Sequence, residues 1–138
     1  SNRQHFWESR YIGLDLGEGK NVDVIYDGRQ IPFNSNHFDV VISTECMEHN
    51  SNYEATIRQM YQVLKPGGLM LFTCAGYGRP EHGTSKHDPV ASPFTQEYYY
   101  NPTLADMGRI MPWEKLFFPL TFEYGGAYDL YFYGIKRV

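Results

Sequence analysis

Apolar and polar positions divide the chain into short strand-like runs around one clear helical stretch. Tyr11–Leu16 (YIGLDL) and Val22–Tyr26 (VDVIY) read as short strands, the first ending in an acid. Only residues 17–21 lie between them, fewer than the dozen or so that a parallel crossover normally takes. The two strands therefore form either a hairpin or a pair joined by a stretched link that returns across the sheet edge. Phe38–Ser43 (FDVVIS) is almost continuously apolar, the pattern of a strand buried on both faces. Ile57, Met60, Tyr61 and Leu64 then fall at i, i+3, i+4 and i+7, one face of a helix. Ser51 and Glu54 have capping-box spacing at its start, and Pro66-Gly67-Gly68 reads as its stop. Leu69–Cys74 (LMLFTC) is the next buried strand, which completes a parallel strand–helix–strand crossover.

The flanks are less regular. Residues 3–9 read as a short helix with Phe6 and Trp7 packed inward. Residues 75–93 form a polar loop rich in Gly, Pro and His, and loops of that length in compact domains are commonly functional. A helix is expected near Thr103–Met111. Phe117–Tyr124, a Gly125-Gly126 turn and Tyr128–Lys136 read as an antiparallel pair, with Pro119 suited to an edge strand.

Composition narrows the class. The 138 residues suffice for one domain spanning 1–138 with a real core. The net charge of −4 supplies no broad basic surface for nucleic acid or anionic membrane. No apolar run approaches the length of a membrane span. Cys46 and Cys74 each follow an apolar run, and without a signal peptide they fit a reduced, cytoplasmic setting better than a disulfide scaffold. Aromatics reach 17%, with 12 Tyr, and tyrosine hydroxyls need polar partners, so many rings are expected at a surface or pocket.

Residues 11–76 together resemble the class I S-adenosylmethionine-dependent methyltransferases, in the broad small-molecule (methyltransferase type 11-like) group. The resemblance rests on Asp15 ending a strand, Asp27 before Ile31-Pro32-Phe33, the run Phe38-Asp39-Val40-Val41, the pair Glu48-His49, and Leu64-Lys65-Pro66-Gly67-Gly68. It implies an α/β, Rossmann-like, mostly parallel sheet with flanking helices and a C-terminal antiparallel hairpin. It also implies S-adenosylmethionine as cofactor, S-adenosylhomocysteine as product and a small-molecule methyl acceptor. The family's first strand and its glycine-rich turn are expected before residue 11, where residues 1–10 contain no glycine. The fold is thus expected to be N-terminally incomplete in this chain. An exposed sheet edge left by that gap invites pairing with a second copy, a possible homodimer.

Ligands of open α/β sheets bind at the carboxyl ends of the strands. The resemblance assigns Asp15 and Leu16 to the ribose side of the cofactor, where a carboxylate accepts from hydroxyls. Asp27, Gly28 and Arg29 fall by the adenine, although an Asp-Gly pair is also an ordinary turn. Ser43 and Thr44 face the crevice at the end of the central strand. Glu45 and His49 are the candidate catalytic residues, with Glu48 beside them, for orienting substrate or removing a proton. His49 reads equally as a helix-flanking residue bonded to backbone. Tyr77–Pro93 suits a substrate-side lid, and Tyr98, Tyr99 and Tyr100 suit a pocket lining. His82, His87 and Cys74 match no tight ligand spacing, so no metal site is expected. A non-catalytic module that keeps the fold is the main alternative. A nicotinamide-dependent oxidoreductase is the second, since Asp15 would serve a dinucleotide ribose equally well.

Overall fold

The computed structural model describes residues 2–6, 10–95, 97–126 and 128–138. Its strands are β1 (Leu14–Asp15), β2 (Val24–Ile25), β3 (Phe38–Thr44), β4 (Leu64–Ala75), β5 (Phe117–Gly125) and β6 (Asp129–Lys136). Its helices are α1 (Tyr53–Val63), α2 (Leu104–Ile110) and the single turn α3 (Trp113–Leu116), with 3-10 turns at Asn2–His5 and Met47–His49. Trp7 lies outside the described residues. Phe6 is half-buried, against the Tyr11 ring.

β1 and β2 pair in parallel, Leu14 with Val24 and Asp15 with Ile25, so the stretched link forms and the hairpin does not. Two-residue strands rise only about 7 Å, so the return needs no helix and a short coil suffices. The link is fixed by polar contacts. The Asp23 carboxylate accepts from the Gly13 amide at 2.8 Å, and the Gly13 carbonyl accepts from the Asp23 and Val24 amides. These bonds occupy backbone groups on either side of the pair and keep both strands short.

The second sheet has the order β3-β4-β6-β5. β3 and β4 are parallel through the α1 crossover, while β4–β6 and β5–β6 are antiparallel. β3 departs from the expectation of burial on both faces: Asp39 is exposed and Val40 keeps 37% of its surface. The reason is position, since β3 ends the sheet and no described strand covers its outer flank. β5 is the opposite edge. Its register shifts between Phe117 and Leu120, around Pro119, where the missing amide costs no ladder bond.

Helix α1 buries Ile57, Met60 and Val63 as its period requires, with Leu64 just beyond. Its expected capping box does not form. Asn52 is the N-cap without a side-chain bond, and the Asn52 amide is taken by Asn50 Oδ1 at 2.8 Å. The helix also ends before the glycines. Leu64 is extended and begins β4, and the residue preceding Pro66 disfavours helical backbone. A capping box does appear at α2: Thr103 Oγ1 accepts from the Asp106 amide, and the Asp106 carboxylate accepts from the Thr103 amide at 2.7 Å.

The core gathers Met47, Ile57, Met60, Leu64, Met70, Phe72, Trp113, Phe117, Leu130 and Phe132. Phe72, Phe132, Phe117 and Trp113 meet with ring centroids 4.7–6.3 Å apart, the range of favourable aromatic pairs. Trp113 is buried because its indole N–H finds the Met107 carbonyl at 2.7 Å, which locks α3 under α2.

Candidate functional site at the strand ends

β1, β2, β3 and β4 direct their carboxyl ends toward the loops that carry the polar residues of interest. Asp15 is exposed at the end of β1, and one of its oxygens accepts from the Leu16 amide at 2.7 Å. Leu16 is exposed beside it. The ring of Phe94, from the long loop, lies directly on Gly17. Asp27 follows β2. Its carboxylate accepts from the Arg29 amide at 2.9 Å and faces the Arg29 guanidinium at 3.9 Å, both exposed. This is an Asx turn, with a second carboxylate oxygen toward solvent.

The Asp27–Ile31 segment is stitched to α1. Thr56 Oγ1 donates to the Gly28 carbonyl at 2.9 Å and receives the Asn50 amide group at 2.8 Å. The Gln59 side chain bonds the Arg29 carbonyl and the Ile31 amide. Gly28 is left-handed (φ 80°) and buried. Helix α1, rather than the neighbouring sheet, thus sets the height of Asp27.

At the end of β3, Ser43 is half-buried, and Thr44 is exposed with its hydroxyl 3.3 Å from the Asn2 side-chain amide. Glu45 is left-handed (φ 49°), an uncommon state for a non-glycine residue, and the bend turns the chain into the Met47–His49 turn. The Glu45 amide bonds the Thr73 carbonyl, and its carboxylate accepts the Thr73 hydroxyl at 2.8 Å. Cys46 follows. The residue shows surface to solvent, yet its sulfur is crowded: local desolvation pushes the thiol up to about 11, and the charges of Glu48 and Asp15 add to this. The charge of Asp15, at the end of β1, thus reaches the Cys46 thiol just beyond β3.

Glu48 is fully buried and His49 is 8% exposed. Burial raises the Glu48 carboxyl to about 7. The amides of Glu48 and Ala75 oppose that rise, and the nearby Glu45 carboxylate adds to it. Neither Glu48 oxygen, nor His49 Nδ1, has a hydrogen-bond partner of normal geometry among the described residues. Burial, and the neighbouring His82, hold the His49 pKa down, so the ring is neutral near pH 7.

The long loop folds back over these groups. His82 and Tyr99 pack edge-on against His49 with ring centroids 5.1 and 5.5 Å away. The Pro80 carbonyl accepts from both His82 Nδ1 at 3.0 Å and the Tyr99 hydroxyl at 3.1 Å. Arg79 pairs with Asp129, its carbonyl accepts from Asn101, and the Tyr100 amide bonds the Glu48 carbonyl at 2.9 Å. Tyr100 points its hydroxyl at Asp106, 3.0 Å away, so its role is to fasten α2. His87 is exposed, and Cys74 is buried with its thiol pushed up by desolvation. Open clefts lie nearby. One, of about 310 Å³, is lined by residues 30–34 and His37, and one, of about 210 Å³, by Glu81, Thr84–Lys86, Glu97 and Tyr99. Neither is lined by Asp15, Asp27 or Glu45.

A Rossmann-like α/β arrangement, with acids closing β1 and following β2 and a parallel crossover ending in a polar turn, defines the class I methyltransferase fold. Residues 6–72, just under half of the chain, match the family model described as "Methyltransferase domain". The ubiquinone/menaquinone biosynthesis C-methyltransferase UbiE of Pseudomonas savastanoi is 41% identical over 59 residues, 42% of this chain and 23% of that protein. The chain thus spans about a quarter of that curated relative. A solved structure from Bacillus halodurans superposes with a TM-score of 0.65 at 14% identity, covering 99% of this chain and 87% of that one. Phosphoethanolamine N-methyltransferase 2 of Haemonchus contortus, solved with phosphomonomethylethanolamine and S-adenosylhomocysteine, gives 0.53 at 19% identity over 77% and 35% of the two chains. No helix among the described residues is long and apolar enough to cross a membrane.

Proposed function

We propose that this chain takes part in S-adenosylmethionine-dependent methyl transfer to a small-molecule acceptor. The observation that carries this reading is the placement of Asp15 and Asp27 after two parallel strands whose segment matches the methyltransferase family. Asp15 is exposed and keeps one carboxylate oxygen unengaged by its own turn, so it can accept from ribose hydroxyls. Leu16 offers apolar surface beside it. Asp27, Gly28 and Arg29 take the adenine edge, and Ser43 and Thr44 the far wall of the crevice.

The cofactor supplies an electrophilic methyl group on sulfonium, and its bond to sulfur breaks as the bond to the acceptor forms. The chain's part is to hold acceptor and donor in line and to keep water out. Glu45, at the bend after β3, is positioned to orient the acceptor. His49, neutral and one turn further on, is the residue to receive a proton from it.

The test is calorimetric titration of the chain with S-adenosylhomocysteine. Asp15→Ala should weaken binding about 10-fold or more, the range for a hydrogen bond to a charged group, while His49→Ala should change it less. An equal or reversed ranking would overturn the site assignment, and no heat from any variant or the parent chain would overturn the cofactor reading.

A further inference from the structure

Three metal-ligating side chains from separate segments converge just beyond the ends of β3 and β4. Glu48 and His49 lie on the turn after β3, and His82 lies on the loop after β4. Each offers one ligand atom, and these atoms all lie within 4.8 Å of one another. We propose that Glu48, His49 and His82 form a binding site for one divalent transition-metal ion.

Glu48 is 0% exposed, and neither carboxylate oxygen has a hydrogen-bond partner of normal geometry among the described residues, although the amides of Glu48 and Ala75 lie close by. A buried carboxylate is costly unless a proton, a hydrogen-bond donor or a cation satisfies it. His49 Nδ1 is also buried and unpartnered. Two adjacent unsatisfied groups at the same spot are what a missing cation between them would leave.

His82 is prepared for the same role. A carbonyl only accepts, so the 3.0 Å contact to Pro80 places the proton on His82 Nδ1 and leaves Nε2 its lone pair. A metal-bound imidazole characteristically donates its other N–H to a carbonyl or carboxylate in this way, which fixes the ring. The Pro80 carbonyl is itself held by the Tyr99 hydroxyl, whose ring packs edge-on against both imidazoles. Gly83 has φ 63°, and a Cβ there would stand 2.7 Å from His49 Cε1, so only glycine lets the loop close over the site.

The donor set selects the ion. Two imidazoles and one carboxylate suit Zn²⁺, Fe²⁺, Mn²⁺ or Co²⁺, whereas Mg²⁺ and Ca²⁺ prefer oxygen throughout. Ligands about 2.1 Å from a common ion stand roughly 3–4 Å apart, so closure takes side-chain shifts on the order of 1 Å. Three protein ligands leave a coordination position open for water or for an oxygen of an incoming molecule. The site does not rest on the methyl-transfer reading, and with an ion bound His49 is a ligand rather than a proton acceptor; the test contains no cofactor.

The test titrates chelator-stripped protein with Zn²⁺ by calorimetry and with Co²⁺ by visible absorption. One ion should bind per chain. Glu48→Gln and His82→Asn should each weaken binding by at least ~10-fold and bleach the Co²⁺ bands, while His87→Asn and His37→Asn should leave both unchanged. His82→Asn is read beside its far-UV circular dichroism and carries the test if the buried Glu48→Gln variant does not fold. No binding at about 1 mM metal, or stoichiometric binding that His82→Asn leaves intact, would overturn the site.

Discussion

Lys136 and Tyr61 are joined twice: the lysine ammonium donates to the Tyr61 carbonyl at 2.9 Å and lies 4.2 Å from the centroid of its ring. The same ammonium donates to the Leu64 carbonyl at 2.7 Å and to Asn36 Oδ1 at 3.1 Å. A cation from the last strand thus closes the C-terminal end of α1, where carbonyls are unpaired and the helix dipole is negative. Lys136→Met keeps the apolar stem but abandons buried carbonyls. It should cost about 2–3 kcal/mol in urea unfolding with an unchanged m-value. Burial also holds the Lys136 pKa below the ordinary lysine value. The unfolded chain then keeps its proton where the folded chain has begun to lose it. Stability attributable to this residue rises with pH between the folded pKa and about 10.4. Subtracting the stability profile of Lys136→Met from that of the parent isolates this rise. A falling difference would contradict it.

Asp106 binds three residues around the start of α2. It accepts from the Thr103 amide and hydroxyl at 2.7 Å, from the Tyr100 hydroxyl at 3.0 Å, and pairs with Arg109. Burial pushes its carboxyl up, but the bonds from Thr103 and Tyr100 and the Arg109 charge outweigh that, and the net shift is downward. With a folded pKa below the unfolded value of about 3.9, its stabilisation is complete above that value and is lost as pH falls through the folded pKa. Asp106→Asn should destabilise by about 1–2 kcal/mol at neutral pH, as lost caps do. Its acid-unfolding profile below about pH 4 should be shallower than the parent's.

The β3–α1–β4 crossover was legible because two periodicities alternate there without interference, an apolar run and then one clean helical face. The terminal hairpin was legible from its Gly-Gly turn. What escaped the sequence was decided by side chains competing for backbone groups. The helix starts one residue later than the Ser51–Glu54 spacing implies, with Asn50 bonding the Asn52 amide just before it, and Asp23 bonds Gly13 beside the parallel pair of β1 with β2. Helix α3 is a single turn, too short for a period, and it exists because Trp113 reaches the Met107 carbonyl. Of the site, the strand-end acids could be read from their positions. The meeting of Glu48 and His49 with His82 could not, because a long loop without periodicity carries His82 back to the turn.

Thr56 offers a way to move the Asp27 turn without touching it. Its buried hydroxyl bridges the Gly28 carbonyl, the Asn50 side chain and, at 3.3 Å, the Tyr26 hydroxyl. Thr56→Val preserves shape and removes all three contacts. It should lower stability by about 1–2 kcal/mol, since the Gly28 carbonyl loses its donor. It should also weaken S-adenosylhomocysteine binding several-fold, although Thr56 itself lies behind the turn. Unchanged affinity alongside the stability loss would show that the Asp27–Arg29 segment makes no cofactor contact.

Gly13 tests whether the β1–β2 pair is the platform for Asp15. A Cβ at Gly13 would stand 2.0 Å from the Asn21 carbonyl oxygen, a backbone atom that cannot swing aside. Gly13 is also buried and is bonded through both its amide and its carbonyl to Asp23 and Val24. Gly13→Ala must therefore push the 19–23 turn outward and strain the pairing of Leu14 with Val24. The β3-β4-β6-β5 sheet and its aromatic core share no ladder with this pair, so their cooperative unfolding should shift little. Cofactor binding should fall more than in Asp15→Ala, because the substitution displaces Asp15 and Leu16 together. Near-ultraviolet circular dichroism, to which the buried Trp113 contributes, reports on the second sheet, and titration with S-adenosylhomocysteine reports on the first. Loss of both signals at once would show that the two sheets fold as one cooperative unit and that Gly13 supports the whole. Loss of binding with the aromatic signal intact would place the cofactor's anchor on the small parallel pair alone.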